Sequence, residues 1–428
     1  MMRSAKGLSL VLLYEKINRY SINALLGALQ RYETIFPLEI YLSPSNPLLL
    51  LKELLSRGKR VVVGFSFFTP QVPHIISQVR EIKKRFPQVI LVAGGPHPSG
   101  DPRGTLAMGF DVVVRGEGEE TFPQLLQAIM EEIPLDSVSG VFFSSPKGEV
   151  FSGKRERVDL DIYPPFSERY RAFGPIEISR GCPFGCFFCQ TSYLFGKQVR
   201  HRSPSTLFSY VEIYTKRGMR DIRFITPNAF SYGSRDGRKV NVQALEELLR
   251  GVRSIVGEQG RIFFGSFPSE VRPEHVTEET LSLVREYADN DNLVIGAQSG
   301  SERILEICHR RHSVKDIYRA TGLCLKYGLL PKVDFIFGLP EEREEDIRAT
   351  VKVMRELIEM GAKIHAHTFI PLPGTPFSRK PPGRLSLEIK SFIKQVLPFG
   401  RVFGEWERQE KMAQRVWRVL NKEKEKIR

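Results

Sequence analysis

The chain lacks any long apolar run, and this absence narrows its class. No stretch of the 428 residues approaches the ~20 consecutive apolar residues that a membrane-spanning helix requires. The amino-terminal run 8-LSLVLL-13 is too short, and too soon followed by charge, for a signal peptide, so it is predicted to form a first strand. With 41% hydrophobic and 26% charged residues, the composition indicates a globular protein of the cytosol.

Cysteine is also scarce, and none of the five cysteines precedes Cys182. An odd number of thiols in a reducing cytosol argues against a disulfide framework. Cys308 and Cys324 each stand alone in a helical pattern, where a buried small side chain is expected and an active-site thiol is the alternative. The other three cysteines fall together in 182-CPFGCFFC-189.

Basic residues outnumber acidic ones, with 63 Lys and Arg against 49 Asp and Glu and a net charge of +14. An RNA or another anionic partner would suit this excess. The basic residues are spread along the chain, however, and in the clearest cluster, 421-NKEKEKIR-428, Lys alternates with Glu. A solvated surface is therefore the favoured interpretation, and a nucleic-acid partner stays open.

The first 145 residues alternate short apolar runs with amphipathic stretches such as 71–86 and 118–133, the pattern of βαβ units and a parallel sheet. The predicted strands are 8-LSLVLLY-14, 38-LEIYL-42, 60-RVVVGFSF-67, 89-VILVAGG-95, 111-DVVVRG-116 and 138-VSGVFF-143. We therefore predict a Rossmann-like domain over residues 1–145. Turn and proline signals in residues 146–174 predict a linker with a small hairpin.

Glycine and small polar residues follow three of these strands, in FSFFT, GGPHPSG and GEGEETF. The carboxyl ends of strands are where open α/β sheets bind ligands, because the backbone can approach closely there. No G-x-G-x-x-G follows the first strand, so a nicotinamide or flavin dinucleotide is disfavoured.

A second unit, predicted over residues 175–376, contains six apolar runs with helical stretches between them. The runs begin at residues 175, 221, 261, 292, 331 and 363, and several helical stretches open with Ser, Thr or Asn and close with Gly. Six β-α units predict a partial (β/α)6 TIM-like barrel, with catalysis at the carboxyl ends of its strands. Residues 377–428 are predicted to form a short helical extension, which completes an α/β fold.

The three clustered cysteines come directly after the first barrel strand, in the spacing C-x3-C-x2-C. A structural zinc site usually has four ligands, and here His201 is the nearest residue that could complete one. Three thiolates on a [4Fe–4S] cluster instead leave one iron free to bind another molecule. The cluster is the favoured interpretation, with zinc and structural coincidence as alternatives.

In this barrel context 182-CPFGCFFC-189 resembles the loop of the radical S-adenosylmethionine (SAM) superfamily. The resemblance implies a [4Fe–4S] cluster on Cys182, Cys186 and Cys189 whose open iron chelates SAM, which is then split to a 5′-deoxyadenosyl radical. The segments 294-VIGAQSGSERIL-305 and 334-DFIFGLPEE-342 resemble the family's SAM-contacting segments. The family's usual Gly-Glu after Leu-Pro is Glu341-Glu342 here, and the usual Asp-Asp is absent from 225-ITPNAF-230. The implied SAM contacts are Phe188, Asn228, Gln298, Ser299, Ile336 and Gly338.

The first unit is similar to the cobalamin-binding domain that precedes many radical SAM barrels, through 64-GFSFFT-69, 94-GGPH-97 and 116-GEGEETF-122. The family's D-x-H-x-x-G motif, whose His ligates cobalt, is absent, and His97 is interpreted as a loop-packing residue. The implied cobalamin contacts are Ser66, Thr69, Gly94, Gly95, Gly116, Glu117, Gly118 and Glu119.

Three functions are consistent with these resemblances. The first is a cobalamin-dependent radical SAM enzyme that methylates an unactivated carbon of a small or lipid-like molecule, with electrons from a flavodoxin or ferredoxin. The second is an RNA-modifying enzyme of the methylthiotransferase type, although such enzymes usually carry a second cysteine set in the amino-terminal domain. The third is a non-catalytic iron–sulfur or cobalamin protein. His365 and His367 share one strand face by period two, where they can touch substrate or pack in the barrel wall.

Overall fold

The computed structural model describes residues 7–32, 37–44 and 46–427, with side chains as far as Asn421. The chain divides into two compact units. The first comprises residues 1–174, 372–374 and 415–428, and the second comprises residues 175–371 and 375–414. The domain boundaries expected from the sequence, at residues 145, 174 and 376, stay predictions. None of the described helices is long and apolar enough to cross a membrane.

The first unit is a seven-stranded sheet flanked by helices. Its strands are β1 (Leu8–Leu13), β2 (Leu38–Ser43), β3 (Arg60–Ser66), β4 (Ile90–Gly94), β5 (Val112–Val114), β6 (Val141–Ser145) and β7 (Gly148–Phe151). Its helices are α1 (Arg19–Leu29), α2 (Leu48–Ser56), α3 (Val72–Arg85), α4 (Pro96–Gly100), α5 (Pro102–Ala107) and α6 (Thr121–Glu131). The strand order is β2-β1-β3-β4-β5-β6-β7.

Strands β1 to β5 are parallel, and their order is that of a doubly wound sheet whose direction of winding reverses between β1 and β3. Val61 and Val63 of β3 face one apolar cluster with α2 and α3, whereas Val62 faces a second cluster with α1 and α6. Burial on both faces explains why these strands read as continuous apolar runs.

The run at residues 138–143 was predicted as another strand of the parallel sheet, and this direction is wrong. Strand β6 pairs antiparallel with β5, and β7 returns antiparallel to β6 through a tight turn at residues 146–147. A two-residue connection can join only antiparallel neighbours, because a parallel return needs a crossover. The small hairpin expected after residue 145 is therefore present, but it extends the sheet.

The second unit alternates strands with helices. Its strands are β8 (Ile176–Glu177), β9 (Ser179–Arg180), β10 (Arg200–His201), β11 (Asp221–Ile225), β12 (Arg261–Phe263), β13 (Asn292–Gln298), β14 (Leu330–Phe337), β15 (Lys363–Thr368) and β16 (Val402–Phe403). Its helices are α7 (Thr191–Phe195), α8 (Pro204–Lys216), α9 (Val242–Val256), α10 (Glu278–Tyr287), α11 (Glu302–Ile307), α12 (Val314–Lys326), α13 (Glu344–Met360) and α14 (Leu387–Val396). It also includes the first part of α15 (Trp406–Ile427), whose residues from Arg415 onward belong to the first unit.

The barrel strands are parallel and follow chain order. Strand β11 pairs with β8 and β12, and β13 to β16 form a second run of neighbours. A single parallel bridge between Val271 and Ile295 connects the two runs. The six predicted β-α units are thus present, and the short β16 adds a strand that the sequence pattern did not reveal.

The helices begin where the sequence supplies a capping side chain. Asn241, Thr277 and Ser313 each accept a hydrogen bond from a backbone N–H in the first turn of α9, α10 and α12. These bonds satisfy donors that a helix start leaves unpaired. On the strands, Val333 and Phe335 of β14 pack outward against the helices, so the alternate residues of β14 face the barrel interior.

Candidate iron–sulfur and cobalamin sites

The three clustered cysteines lie in the loop that leaves the first barrel strand. Strands β9 and β10 pair antiparallel at the base of this loop. Within it, Cys182 N–H donates to the carbonyl of Gly196 at 3.1 Å, and Cys189 N–H donates to the carbonyl of Cys186 at 3.1 Å. The Ser192 hydroxyl donates to the carbonyl of Cys182 at 2.7 Å and accepts from Gly185 N–H at 3.1 Å. Short-range hydrogen bonds therefore hold the loop that carries the three thiols.

Two glycines allow this loop to fold. Gly181 has φ 90° and Gly185 has φ 65°, a region that residues with side chains rarely adopt. A Cβ on Gly181 would also lie 2.3 Å from the carbonyl oxygen of Gln198, which the backbone could not avoid without moving. Both angles let the loop turn back on itself.

The thiols of the loop are sheltered from water. Cys186 is buried, whereas Cys182 and Cys189 are partly buried. Burial, followed by the neighbouring Cys186, raises the pKa of Cys189 to about 11. Burial likewise raises the pKa of Cys182. In the absence of a metal these groups are thiols, and a bound metal cluster would hold them as thiolates.

Two buried arginines approach Cys186 from other loops: Arg272 follows β12, and Arg310 lies between α11 and α12. Arg310 Nη1 lies 3.7 Å from Cys186 Sγ, and Arg272 Nη1 lies 4.0 Å from it. Arg272 also lies over the ring of Phe184, 3.5 Å from its centroid, and donates to Glu274 at 2.5 Å. A pair of cations at this point favours an anionic group, which three thiolates on an iron–sulfur cluster would provide.

Buried polar atoms around the arginines lack partners within the described residues. They include Arg310 Nε, Glu274 Oε2 and His312 Nδ1. Glu274 Oε2 and His312 Nδ1 are 3.9 Å apart, too far for a hydrogen bond. Because buried polar groups are normally satisfied, these atoms indicate a ligand or ordered water in this region. The three thiols, the two arginines and these unsatisfied polar atoms together fit a bound iron–sulfur cluster with a polar ligand.

His201 was the residue considered as a fourth zinc ligand. Its Nδ1 lies 2.7 Å from the Ser179 hydroxyl, and its Nε2 lies 3.0 Å from the carbonyl of Ser234. Both ring nitrogens are thus occupied by the protein, and the imidazole joins the β9–β10 hairpin to the Ser234 loop. His201 is therefore not available as the fourth ligand of a zinc ion.

Of the residues implied as SAM contacts, Phe188 lies in the cysteine loop, Ile336 lies on β14, and Gly338 directly follows β14. Phe188 and Ile336 pack in one apolar cluster with Cys308, whose backbone carbonyl accepts from Phe187 N–H at 3.0 Å. Cys308 itself is buried, as is Cys324, and burial raises the pKa of each thiol to about 12. Gly338 has φ 70°, and a Cβ there would lie 2.5 Å from Arg384 N.

Asn228, Gln298 and Ser299 are also buried. Asn228 is held on both sides, because its oxygen accepts from Arg272 N–H at 3.2 Å and its nitrogen lies 2.7 Å from His275 Nδ1. Ser299 shares a hydrogen bond of 3.3 Å with Thr350. Gln298 has φ 76° at a bulge in β13. Their roles as SAM contacts stay predictions.

Reasoning from sequence missed the charged residues of this region, above all Arg272, Arg310 and Glu270. Glu270 and Arg272 lie in 265-GSFPSEVRP-273, directly after β12. The general rule that functional groups follow barrel strands could have identified both residues. Burial raises the pKa of Glu270 to about 7; the Asp334 carboxylate adds to this, and Arg310 and Arg272 oppose it.

In the first unit, the residues implied as cobalamin contacts lie at the carboxyl ends of β3, β4 and β5. Ser66 Oγ shares a hydrogen bond of 2.8 Å with Ser21, and Thr69 Oγ1 lies 3.1 Å from His97 Nδ1. Gly94 ends β4, and Gly95 follows it with φ 93°. This edge includes the end of β3, next to the point where the winding of the sheet reverses, so a ligand is expected there.

After β5 the chain runs through Gly116, Glu117, Gly118 and Glu119. Gly116 has φ 88°, and a Cβ there would meet no atom within 4 Å. Glu117 Oε2 accepts from Val158 N–H at 2.9 Å, which ties down the loop. Gly118 packs on Leu25, and Glu119 is buried. An open glycine on a fixed loop is a surface that a cofactor can approach closely.

His97 is fully buried within the first unit. Its ring stacks on Phe67 at 5.5 Å, and burial lowers its pKa to about 4 despite the nearby Asp101. Its Nε2 has no hydrogen-bond partner among the residues that the structure describes. The neutral, stacked ring agrees with a loop-packing role, while the unsatisfied nitrogen and the open glycine edge fit a cofactor with polar groups.

These observations define a class: a parallel partial barrel with a three-cysteine cluster loop, in one chain with a doubly wound ligand-binding domain. Residues 176–354 match the family model of the radical SAM superfamily, and residues 22–126 match that of the B12 binding domain. Residues 176–354 therefore form a radical SAM domain, and residues 22–126 lie in a B12-binding domain. The radical SAM domain implies a [4Fe–4S] cluster and SAM, and the B12-binding domain implies cobalamin.

Three relatives illustrate the similarity. An uncharacterized protein of Methanopyrus kandleri is 28% identical over 68% of this chain and 62% of its own length. An uncharacterized methyltransferase of Pyrococcus horikoshii is 27% identical over 73% of this chain and 68% of its own. A tRNA-2-methylthio-N(6)-dimethylallyladenosine synthase of Yersinia pseudotuberculosis is 28% identical over 72% of this chain and 61% of its own. The chain thus spans roughly two thirds or less of the length of these proteins.

Two solved structures share the fold. TsrM of Kitasatospora setae, a radical SAM methyltransferase with cobalamin and a [4Fe–4S] cluster bound, has a TM-score of 0.68 at 18% identity, over 87% of this chain and 77% of its own. OxsB, a cobalamin-dependent SAM radical enzyme, has a TM-score of 0.64 at 18% identity, over 82% of this chain and 52% of its own. The predicted combination of a cobalamin-binding type domain with a radical SAM barrel is confirmed at the level of fold.

Proposed function

We propose that this protein is a cobalamin-dependent radical SAM enzyme that methylates an unactivated carbon. The observation that carries the proposal is the presence in one chain of a three-cysteine loop after the first barrel strand and a B12-binding domain of order β2-β1-β3-β4-β5. When bound, the cluster and SAM supply a 5′-deoxyadenosyl radical, and cobalamin supplies a methyl group.

The chain's own residues would then hold and tune these groups. Cys182, Cys186 and Cys189 would hold three irons of a [4Fe–4S] cluster and would leave the fourth iron for SAM. Arg310 and Arg272 place positive charge beside Cys186, which stabilises added negative charge on the cluster. No proton transfer by these five side chains is required.

Apolar side chains shelter the region next to the cysteines from water. Phe187 stacks on His309 at 5.3 Å and meets Phe377 edge-on at 5.7 Å. Phe188 and Ile336 continue this apolar cluster. Exclusion of water and oxygen protects a reactive radical, and this is the role that we assign to these apolar side chains. Phe188, Asn228, Gln298, Ser299, Ile336 and Gly338 are proposed to line the SAM site.

Cobalamin is proposed to bind at the carboxyl edge of β3, β4 and β5. The edge is formed by Ser66, Thr69, Gly94, Gly95, Gly116, Glu117, Gly118 and Glu119. The sequence lacks the D-x-H-x-x-G motif, so we propose that cobalamin is held without the cobalt-ligating histidine that this motif supplies. We propose a small or lipid-like substrate, an external flavodoxin or ferredoxin as electron donor, and a cytosolic location.

Anaerobic reconstitution tests the proposal. The expected result is about four irons per chain, extractable cobalamin, and release of 5′-deoxyadenosine from SAM on reduction. SAM with a deuterated methyl group should transfer that methyl to the bound cobalamin, which mass spectrometry detects without knowledge of the substrate. Iron–sulfur absorbance without any cleavage of SAM and without methyl transfer would contradict both enzyme functions.

A second candidate is a methylthiotransferase acting on RNA, favoured by the similarity to the Yersinia tRNA-modifying synthase and by the net charge of +14. The absence of cysteine before Cys182 opposes it, because a second cluster in the first unit would have no thiolates. Iron content separates the two, since a second cluster would bring the total to about eight irons per chain.

A further inference from the structure

We propose that Asp334, His365 and His367 form a binding site for a divalent transition-metal ion inside the barrel, separate from the cysteine cluster. Asp334 lies on β14 directly opposite His365 on β15, and His367 lies two residues further along the same strand. Alternate residues of these strands, including Phe335 and Ala366, pack outward in the apolar core. The two-residue period therefore directs the three ligands inward together.

The ligand atoms lie at separations that suit a metal. His365 Nδ1 lies 2.9 Å from Asp334 Oδ1 and 3.2 Å from His367 Nε2, and the three atoms are all within 4.8 Å of one another. Metal–nitrogen bonds are about 2.0–2.1 Å, so adjacent ligands are about 3.0 Å apart at a right angle and about 3.4 Å apart in a tetrahedron. The two measured separations fall in or next to this range.

The orientation of the two rings also favours convergence on a third atom. A linear N–H···N bond of this length between imidazoles would place the ring centroids about 5.5 Å apart. The centroids of His365 and His367 are only 4.0 Å apart, with 65° between the ring planes. The nitrogens therefore lie side by side rather than end to end. In addition, His365 Nδ1 faces both Asp334 Oδ1 and His367 Nε2. This nitrogen has only one in-plane position for a proton or a lone pair, so it cannot form a hydrogen bond with both.

The surroundings leave the imidazoles available as ligands. His365 stacks on Phe403 at 4.5 Å with nearly parallel rings, which fixes its orientation. Two imidazoles and one carboxylate are a ligand set typical of zinc and iron(II), and three protein ligands leave positions for a substrate oxygen.

Gln409 should determine how tightly this site binds a metal ion. Its Oε1 accepts from Thr368 N–H at 2.8 Å, so its amide nitrogen faces His367 Nδ1 at 3.4 Å. A metal-bound histidine normally donates its other N–H to an acceptor, and an amide nitrogen offers none. We expect moderate affinity, and Gln409→Glu should strengthen binding about 10- to 100-fold by supplying a carboxylate acceptor.

The test uses the full-length protein with its cluster loaded, so that the cysteines are occupied, and Zn²⁺ as the probe. Zinc is counted by mass spectrometry after dialysis against a chelator, which separates it from the iron and cobalt of the cofactors. We expect one zinc per chain, a weakening of at least about 100-fold in His367→Ala, and stronger binding in Gln409→Glu. The exposed His74 offers the matched control, His74→Ala, which should bind as the wild type does.

X-ray absorption at the zinc edge of the wild type provides a readout that no folding defect can imitate. Nitrogen and oxygen neighbours at about 2.0–2.1 Å support the site, whereas sulfur at about 2.3 Å would assign the zinc to the cysteines and overturn the proposal. Retention of zinc by a folded His367→Ala variant, or no zinc bound above the control level, would overturn it too. None of these outcomes depends on SAM cleavage or methyl transfer.

Discussion

Arg310 donates from Nη1 to the Sγ of Cys186 across 3.7 Å, although 124 residues separate the two in the chain. Arg310 also donates to the carbonyl of Gly296 on β13, so the guanidinium connects the cysteine loop to the fourth strand of the barrel. A permanent cation is thereby placed beside a thiol that the family uses to hold iron.

Arg310→Met should lower the reduction potential of the cluster, because the lost cation no longer stabilises the reduced, more negative form. With one charge at about 6 Å and an effective dielectric constant of about 20, the expected shift is on the order of 100 mV. A redox titration followed by electron paramagnetic resonance measures it. The adjacent, exposed Arg311 supplies the control, and an equal shift in Arg311→Met would disprove a local effect.

Cys186→Ala should abolish cluster assembly, because two thiolates cannot hold three irons of the cluster. Iron content and visible absorbance after anaerobic reconstitution report the loss. Cys324→Ala removes an equally buried thiol on α12, outside the cluster loop. It should keep its full iron content and lose only about 1 kcal/mol of folding free energy. Normal iron content in Cys186→Ala would refute the assigned ligand set.

Gly181→Ala should destabilise the fold by about 3 kcal/mol and reduce iron content, because its Cβ would lie 2.3 Å from the Gln198 carbonyl at a positive φ. Gly218 also has a positive φ, 77°, but a Cβ there would meet no atom within 4 Å. Gly218→Ala should therefore cost only about 1 kcal/mol and leave iron content unchanged. Chemical denaturation measures both costs, and equal values would rule out the clash as the cause.

Gly116→Ala should reduce cobalamin binding with little loss of stability. Its Cβ meets open space in the protein alone, so any steric conflict would come from the cofactor. Gly148, the first residue of β7, has a positive φ of 110° and equally open surroundings, and it lies away from the proposed edge. Cobalamin extracted from each purified variant is the measurement. We expect Gly148→Ala to bind as the wild type does, and full occupancy in Gly116→Ala would move the site elsewhere.

Glu270 should make stability depend on pH. Its pKa is raised from 4.5 to about 7 in the folded chain, so the folded state binds this proton more tightly than the unfolded state. Its stabilising contribution is fully present below about pH 4.5 and is lost as pH rises through about 7. Relative to Glu270→Gln, the wild type should lose about 3 kcal/mol of unfolding free energy across this window. Parallel denaturation curves of the two proteins would contradict the raised pKa.

Local sequence was sufficient to predict most of the helices and strands and the loop that carries the three cysteines. The cysteine spacing, the glycines at 181 and 185 and the amphipathic helices are set by contacts within a few turns of chain, and short-range patterns report such contacts directly. The antiparallel direction of β6 and the existence of β16 were not predictable in this way. Both depend on which strand edge is free after the rest of the sheet has formed.

The sequence alone determined the class of the protein. The three cysteines after the first barrel strand and the glycine-rich strand ends each lie within a few consecutive residues, so they can be recognised without the fold. Only the tertiary structure decided which charged groups accompany them. Glu270 and Arg272, in the loop after β12, and Arg310, in the loop between α11 and α12, come together near Cys186 only in the folded chain, and Asp334 meets His365 only through the register of β14 on β15. Period two placed His365 and His367 on one face, but the Asp334 carboxylate reaches them only because β14 pairs with β15 in this register.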